Sequence, residues 1–338
     1  MFIHHIKPKL ASPMLGISTP VSSTVVTSAE VMKNAKLDWR ADDVALKTDD
    51  GQPITTHKLI RRSDNGSHLG VVGSGFEVLQ NAEAFAFCDS LVADGHVEYM
   101  SAGQFGDGKR IFIQCRLLGK GGGGAEIVKG DVVESLFLLA NGHDGSLSVR
   151  PLITPTRVIC QNTFRLALSK KANGKDNFSI KHTSNMQSRL ERAKELFGWA
   201  QQGFDEFVEQ AKITAGKDMK TEARLKAFFR ETFKIEEGKV LDEDNNVQLK
   251  NREDRLSELF MNGAGQDIKG VQRTAWAAVN AVTQYLDHEA KTAVRGIDTT
   301  TVGPDERDRL SKLKRFESNV LGGNANIKQR AMELALAL

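Results

Sequence analysis

Segments of strand length follow one another between Val97 and Ile153, and their spacing constrains the fold more than any other feature of the chain. They run from Val97 to Gly103, Lys109 to Leu118, Val132 to Ala140 and Ser146 to Ile153. Glycine-bearing connections separate them: Gln104-Phe-Gly-Asp-Gly, the loop from Gly119 to Gly124, and Asn141-Gly-His-Asp-Gly. Strands joined in this way pair antiparallel, because a parallel neighbour needs a long crossover. Upstream, Asp38 to Leu46 and Thr55 to Arg62 flank the turn Thr48-Asp-Asp-Gly and form a first hairpin. Ser63-Asp-Asn-Gly turns the chain again into His68 to Gly73, since Asn-Gly supplies the positive φ angles of a tight connection. Between these groups lies one clear helix, in which Ala84, Phe87, Cys88, Leu91 and Val92 share a stripe, with Asn81 as N-cap and Gly95 as stop.

The order strands, helix, antiparallel strands, helix predicts an α+β fold, an antiparallel sheet with helices packed on one face. A helical C-terminal module follows. Leu190, Ala193, Leu196, Phe197, Ala200 and Phe204 recur at helical spacing, as do Leu225, Phe228, Phe229 and Phe233. Further helices are predicted over Arg252 to Met261, Thr274 to Thr292 and Ile327 to Leu338, with Lys239 to Lys250 as a polar connector. The expected division is an extended arm over 1–36, an α+β core over 37–185 and a helical module over 186–338.

At 338 residues the chain is long enough to bury a core without covalent staples. Its longest apolar runs, such as Val132 to Ala140, are too short to span a bilayer. The start, Met1-Phe-Ile-His-His-Ile-Lys-Pro, lacks the apolar stretch of a secretory signal, so a cytoplasmic location and no membrane contact are expected. Cys88, Cys115 and Cys160 are odd in number and widely spaced, which points to reduced core thiols and not to a disulfide framework or a zinc site.

Candidate chemistry concentrates between Asn141 and Leu168. His143 beside Asp144 could ligate a metal or polarise a water, but no partner motif for a metal site occurs, and a hairpin turn accounts for the pair. Cys160 could act as a nucleophile with Gln161 or Asn162 as oxyanion donor and His143 as base. Its apolar neighbours Val158 and Ile159 favour an inert thiol. Asn162-Thr163 is an N-cap signal for a helix over Phe164-Arg-Leu-Ala-Leu. No catalytic residue, metal or cofactor is assigned, because none of the glycine-rich loops has the spacing of a phosphate loop. Trp276, Asn280, Gln284, Asp287 and His288 recur on the late helix as a packing face with a polar rim. The strongest lead is the basic segment from Arg165 to Lys194, where cations outnumber Asp176 and Glu191 and Phe164 and Phe178 are interleaved. Such a segment suits phosphates and stacked bases.

The chain also carries Arg62-Ser-Asp-Asn-Gly, Leu69-Gly-Val-Val-Gly, Gln80-Asn-Ala-Glu-Ala-Phe, Asn141-Gly-His-Asp-Gly-Ser and Thr154-Pro-Thr-Arg-Val-Ile-Cys-Gln-Asn-Thr. Lys181-His-Thr and Thr274-Ala-Trp-Ala-Ala-Val-Asn-Ala-Val-Thr-Gln-Tyr-Leu-Asp-His follow. These runs resemble an uncharacterised family of phage, prophage and plasmid proteins of the phage/plasmid-like kind, over most of the chain after Asp38. The resemblance implies a mobile-element context and roles in DNA replication, recombination or counter-defence. The coarse order of elements is similar to that of phage single-strand annealing proteins, which form rings or filaments holding single-stranded DNA in a basic groove.

The resulting expectation is a non-enzymatic, homo-oligomeric protein that binds or anneals single-stranded DNA. Its groove would be lined by Arg150, Arg157, Arg165, Lys170, Lys171, Lys175 and Lys181, with His182. The alternatives are a counter-defence or regulatory protein that binds another protein, and a hydrolase or nuclease using His143, Asp144 and Cys160.

Overall fold

The computed structural model describes residues 27–118, 124–160, 162–164, 179–192, 196–234, 243–290 and 303–338. Most of the expected arm, most of the loop after Leu118 and the core of the basic segment lie outside these residues. The fold is α+β, with antiparallel sheets and helices gathered toward the C-terminus. The chain divides into two compact units, and each is assembled from non-consecutive segments. The first takes Met1–Gly122, Leu136–Ile153 and Leu168–Ala200; the second takes Gly123–Ser135, Thr154–Ala167 and Gln201–Leu338. A linear reading with a boundary near residue 186 does not show this interleaving.

In the first unit the short helix α1 (Ser28–Asn34) begins at a capping box, with Thr27 and Glu30 satisfying each other's backbone N–H groups. It lies inside the stretch expected to be an extended arm, and Val31 is buried. Strands β1 (Ala41–Lys47), β2 (Pro53–Arg62) and β3 (His68–Gly73) form an antiparallel sheet in that order. Helix α2 (Asn81–Ala93) follows, and with α1 it packs against β4 (Val97–Phe105). The N-cap of α2 is Gln80, one residue earlier than expected. Glu83 accepts from the Gln80 N–H at 2.8 Å, while the Gln80 amide clamps the N–H and C=O of Ala41. Asn81 instead turns inward, for a reason given below. Gly95, with φ +71°, ends the helix as expected. Strand β4 pairs with β5 (Arg110–Leu117), which pairs with β7 (Asp131–Gly142) through Leu136 to Gly142. The core of this unit runs through Leu37, Ile60, Leu79, Phe85, Leu91, Ile113, Phe137 and Ile180, and α3 (Met186–Arg192) adds Leu190.

In the second unit β6 (Ala125–Val128) folds back on the start of β7, and the end of β8 (Arg150–Arg157) pairs with β9 (Asn162–Thr163). The expected N-cap at Asn162-Thr163 is thus a strand, because Thr156 and Arg157 offer it a ladder. Helix α4 (Leu196–Ala215) runs from one unit into the other, and α5 (Glu222–Phe233), α6 (Glu243–Asn262), α7 (Ala275–Gln284), α8 (Pro304–Leu321) and α9 (Gly323–Ala337) complete the second. Helix α6 includes much of the expected polar connector. Helix α7 starts at Thr274, whose hydroxyl accepts from the Ala277 N–H at 3.2 Å. Every residue from Ala275 to Thr283 is buried. A π-helical turn, Tyr285–Glu289, follows it. Among the described residues no helix is long and apolar enough to cross a membrane.

Candidate functional site

The turn after β7 builds the polar centre of the first unit. The Asp144 carboxylate accepts from the Ser146 N–H at 3.0 Å and faces Arg110 at 3.7 Å, so it holds the turn as the sequence predicts. A Cβ on Gly70 of β3 would stand 2.8 Å from the Asp144 Cα, so this approach admits only glycine. His143 is wholly buried. Asn81 spends its amide N–H groups on the carbonyls of Leu37 (3.0 Å) and Trp39 (3.2 Å). Its amide oxygen is therefore an acceptor, and His143 Nε2 must donate to it at 3.0 Å. His143 Nδ1 is left as a buried lone pair without a partner. Burial above all, with His182 nearby, pushes the imidazole pKa down to about 4 against the pull of Asp144. Trp39 meets the imidazole edge-on at 5.3 Å and carries the Arg62 guanidinium over its ring, 4.4 Å from the centroid. Arg62 forks onto Asp64 at 2.9 and 2.6 Å and reaches Gln104 at 3.2 Å. His143 and Asp144, adjacent in sequence, thus take different partners and form no acid-base pair.

Among the described residues the second unit holds two buried ion pairs. Asp131 of β7 accepts from Arg157 Nε at 2.6 Å and from Trp276 Nε1 at 2.7 Å, one bond to each carboxylate oxygen. The Arg157 guanidinium also donates to the carbonyls of Ala264 and Gly265, each at 3.0 Å, and so closes the loop after α6. Both charged side chains are 0% exposed. In the second pair Asp287 bonds the Lys328 ammonium with one oxygen and the Thr163 N–H with the other, at 2.8 Å. Lys328 Nζ donates as well to the Thr163 carbonyl and hydroxyl, each at 3.0 Å. All of its N–H donors are then used. Burial pulls the Lys328 pKa down, opposed by Asp287. Beside it Asn162 donates to Asn280 O and Thr283 Oγ1. Cys160 is half-buried, and burial pushes its thiol up to about 11 in spite of Arg157. A thiol of this kind is protonated at neutral pH and is a poor nucleophile. Among the described residues no three metal-ligating side chains come together.

The expected groove residues divide sharply. Arg165, Lys170, Lys171 and Lys175 lie outside the described residues. Lys181 is exposed, directly after Ile180, which bridges Val149; Arg150, the next residue to Val149, is half-buried. Arg157 and His182 are core groups instead of groove cations. His182 stacks on Phe76 at 4.4 Å and turns its ring nitrogens to the carbonyls of Glu77 and Leu147. Trp276, Asn280 and Asp287, expected as a packing face with a polar rim, are all interior. Sequence reasoning passed over Asp131 and Lys328. A signal for the latter exists: Lys328 falls in register with Ala325, Met332 and Ala335, a charge inside an apolar stripe.

Residues 68–315 match the family model of a domain of unknown function (DUF932). That span holds His143, Asp131, Arg157 and Asp287 but stops before Lys328. No curated protein and no solved structure matches the chain.

Proposed function

We propose a nucleic-acid role for this chain, which belongs to the DUF932 family, a domain of unknown function. It binds single-stranded DNA through a basic surface and acts as a homo-oligomer in strand annealing for a phage, prophage or plasmid. The observation that carries the proposal is the charge run from Arg165 to Lys181, in which Arg165, Lys170, Lys171, Lys175 and Lys181 face Asp176 alone. Closely spaced cations replace the counterions of a phosphate backbone, and Phe178 within the run offers a ring for base stacking. The exposure of Lys181, which follows Ile180 at its bridge to Val149, the neighbour of Arg150, supports a surface that continues past the run. Arg157 and His182, bonded to buried partners, stand outside the phosphate-contacting set.

The test is fluorescence-anisotropy binding of labelled single- and double-stranded DNA across a salt series, with light scattering for the assembly. If each of Arg150, Arg165, Lys170, Lys171, Lys175 and Lys181 neutralises one phosphate, log affinity falls against log salt with a slope of roughly −4 on single strands. Replacing Lys170, Lys171 and Lys175 with Ala weakens binding to all sequences alike and makes the slope shallower by about 2. Unchanged affinity in that variant would remove the run from the site.

A further inference from the structure

In the second unit a cavity of about 120 Å³ opens between α4 and α9. Phe164, Phe207 and Met332, all buried, give it an apolar lining, while Glu206 and Glu333 stand in its wall as exposed residues. Phe164 is itself fixed by Phe207 at 5.1 Å and by Trp276 at 5.2 Å. Lys328 also lines the cavity, yet its donors are all spent on Asp287 and Thr163. Its ammonium is therefore not free to meet an anion.

The remaining charge of the cavity is negative. Glu206 has Oε1 occupied by the Gln202 amide at 3.0 Å, and Glu333 has Oε1 occupied by the Gln329 amide at 3.0 Å. Among the described residues nothing bonds the second oxygen of either carboxylate, which leaves it to a guest. From this combination we propose that the cavity binds an ammonium or guanidinium group carried on a short alkyl stem. The stem is buried against Phe164, Phe207 and Met332, and the cation meets both carboxylates and the faces of the rings. The volume, equal to roughly four waters at about 30 Å³ each, suits a guest the size of butylammonium. Such a group comes either from a free diamine or from a Lys or Arg side chain of a polypeptide. The proposal does not depend on the nucleic-acid role.

The experiment titrates the full chain, carrying methyl-labelled methionine, with 1,4-diaminobutane, butylguanidinium, the capped tripeptide Gly-Arg-Gly and n-butanol. Binding is followed at the Met332 methyl resonance and by calorimetry. Saturable binding of the cations on the order of 1 mM is expected, with n-butanol at least tenfold weaker. Glu206→Gln with Glu333→Gln reduces the cation affinity at least tenfold, while Glu209→Gln, on α4 but outside the cavity, leaves it unchanged. Saturation by the tripeptide alone identifies a chain-borne guest; saturation by the diamine alone identifies a free one. The exposed positions of both glutamates make loss of folding a minor concern, and the single variants serve if the double variant melts early. The absence of saturation, n-butanol binding as well as the cations, or undiminished binding in the Gln variants overturns the proposal.

Discussion

His143 in the first unit and Asp131 in the second are both wholly buried, but their neighbours differ in kind. His143 sits against the amide of Asn81 and the ring of Trp39, and its low pKa removes its charge at neutral pH. Asp131 sits against a guanidinium, and Asp287 against an ammonium. In the first unit the buried Arg62 pairs with Asp64, whose carboxylate stays at the surface, 43% exposed. The first unit thus centres on a neutral, hydrogen-bonded histidine, and the second on two matched pairs of charges. A neutral network tolerates the loss of a partner at moderate cost and responds to protons. A buried ion pair costs little while both members are present and a great deal when one is removed.

The largest effect follows from removing one charge. Arg157→Met leaves Asp131 buried with only Trp276 as a donor and destabilises the second unit by about 3–5 kcal/mol. Hydrogen-exchange mass spectrometry should show faster exchange across 131–135, 154–160 and α7, with the first unit protected as before. Adding Asp131→Asn to that variant is expected to restore part of the loss. If it restores nothing, the bonds to Ala264 and Gly265 matter more than the charge, and the contrast between the units narrows.

The next effect is specific to the first unit. The unfolded chain binds a proton at His143 with an ordinary pKa of 6.5, and the folded chain only at about 4. Between those values the unfolded state holds more protons, so stability is full above about pH 6.5 and falls as the pH drops. The loss reaches about 3 kcal/mol at pH 4. His182, whose pKa is also lowered by burial, acts in the same direction. Denaturant titrations at a series of pH values check this, and His143→Gln should flatten the slope. A slope that persists in full would place the proton elsewhere. The smallest effect is at the turn: Asp144→Ala removes the bond to the Ser146 N–H and costs about 1 kcal/mol, read as a small shift in midpoint. A loss near that of Arg157→Met would show that the turn is part of a charge network after all.

Local features of this fold were legible because their causes are local. Asn65-Gly66, Thr274 and the stop at Gly95 act through their own backbone, and the strand-length runs of β2 and β5 between their turns need only the next few residues. The boundary of α2 was misplaced by one position because Asn81 is a good N-cap, while its side chain is claimed by Leu37 and Trp39. Pairing at long range was not legible. Arg157 looks like any cation of the basic stretch, and only the fold brings Asp131 and the loop at Ala264 to it. Asn162-Thr163 looks like a cap until β8 lies beside it. Helix α6 starts in a run as polar as a loop, Glu243-Asp-Asn-Asn, and its buried residues Leu256, Leu259 and Phe260 lie toward its other end. The candidate cavity was invisible for the same reason: Glu206 and Glu333 are ordinary surface glutamates until α4 and α9 meet.

The bond from Lys328 to Thr163 joins residues 165 positions apart. On a ribosome that adds about 5–20 residues per second, Thr163 and Asn162 leave the exit tunnel roughly 10–30 s before the lysine that completes their surroundings. Asp287 also emerges ahead of its ammonium partner. The second unit is thus unable to close before α9 has been made.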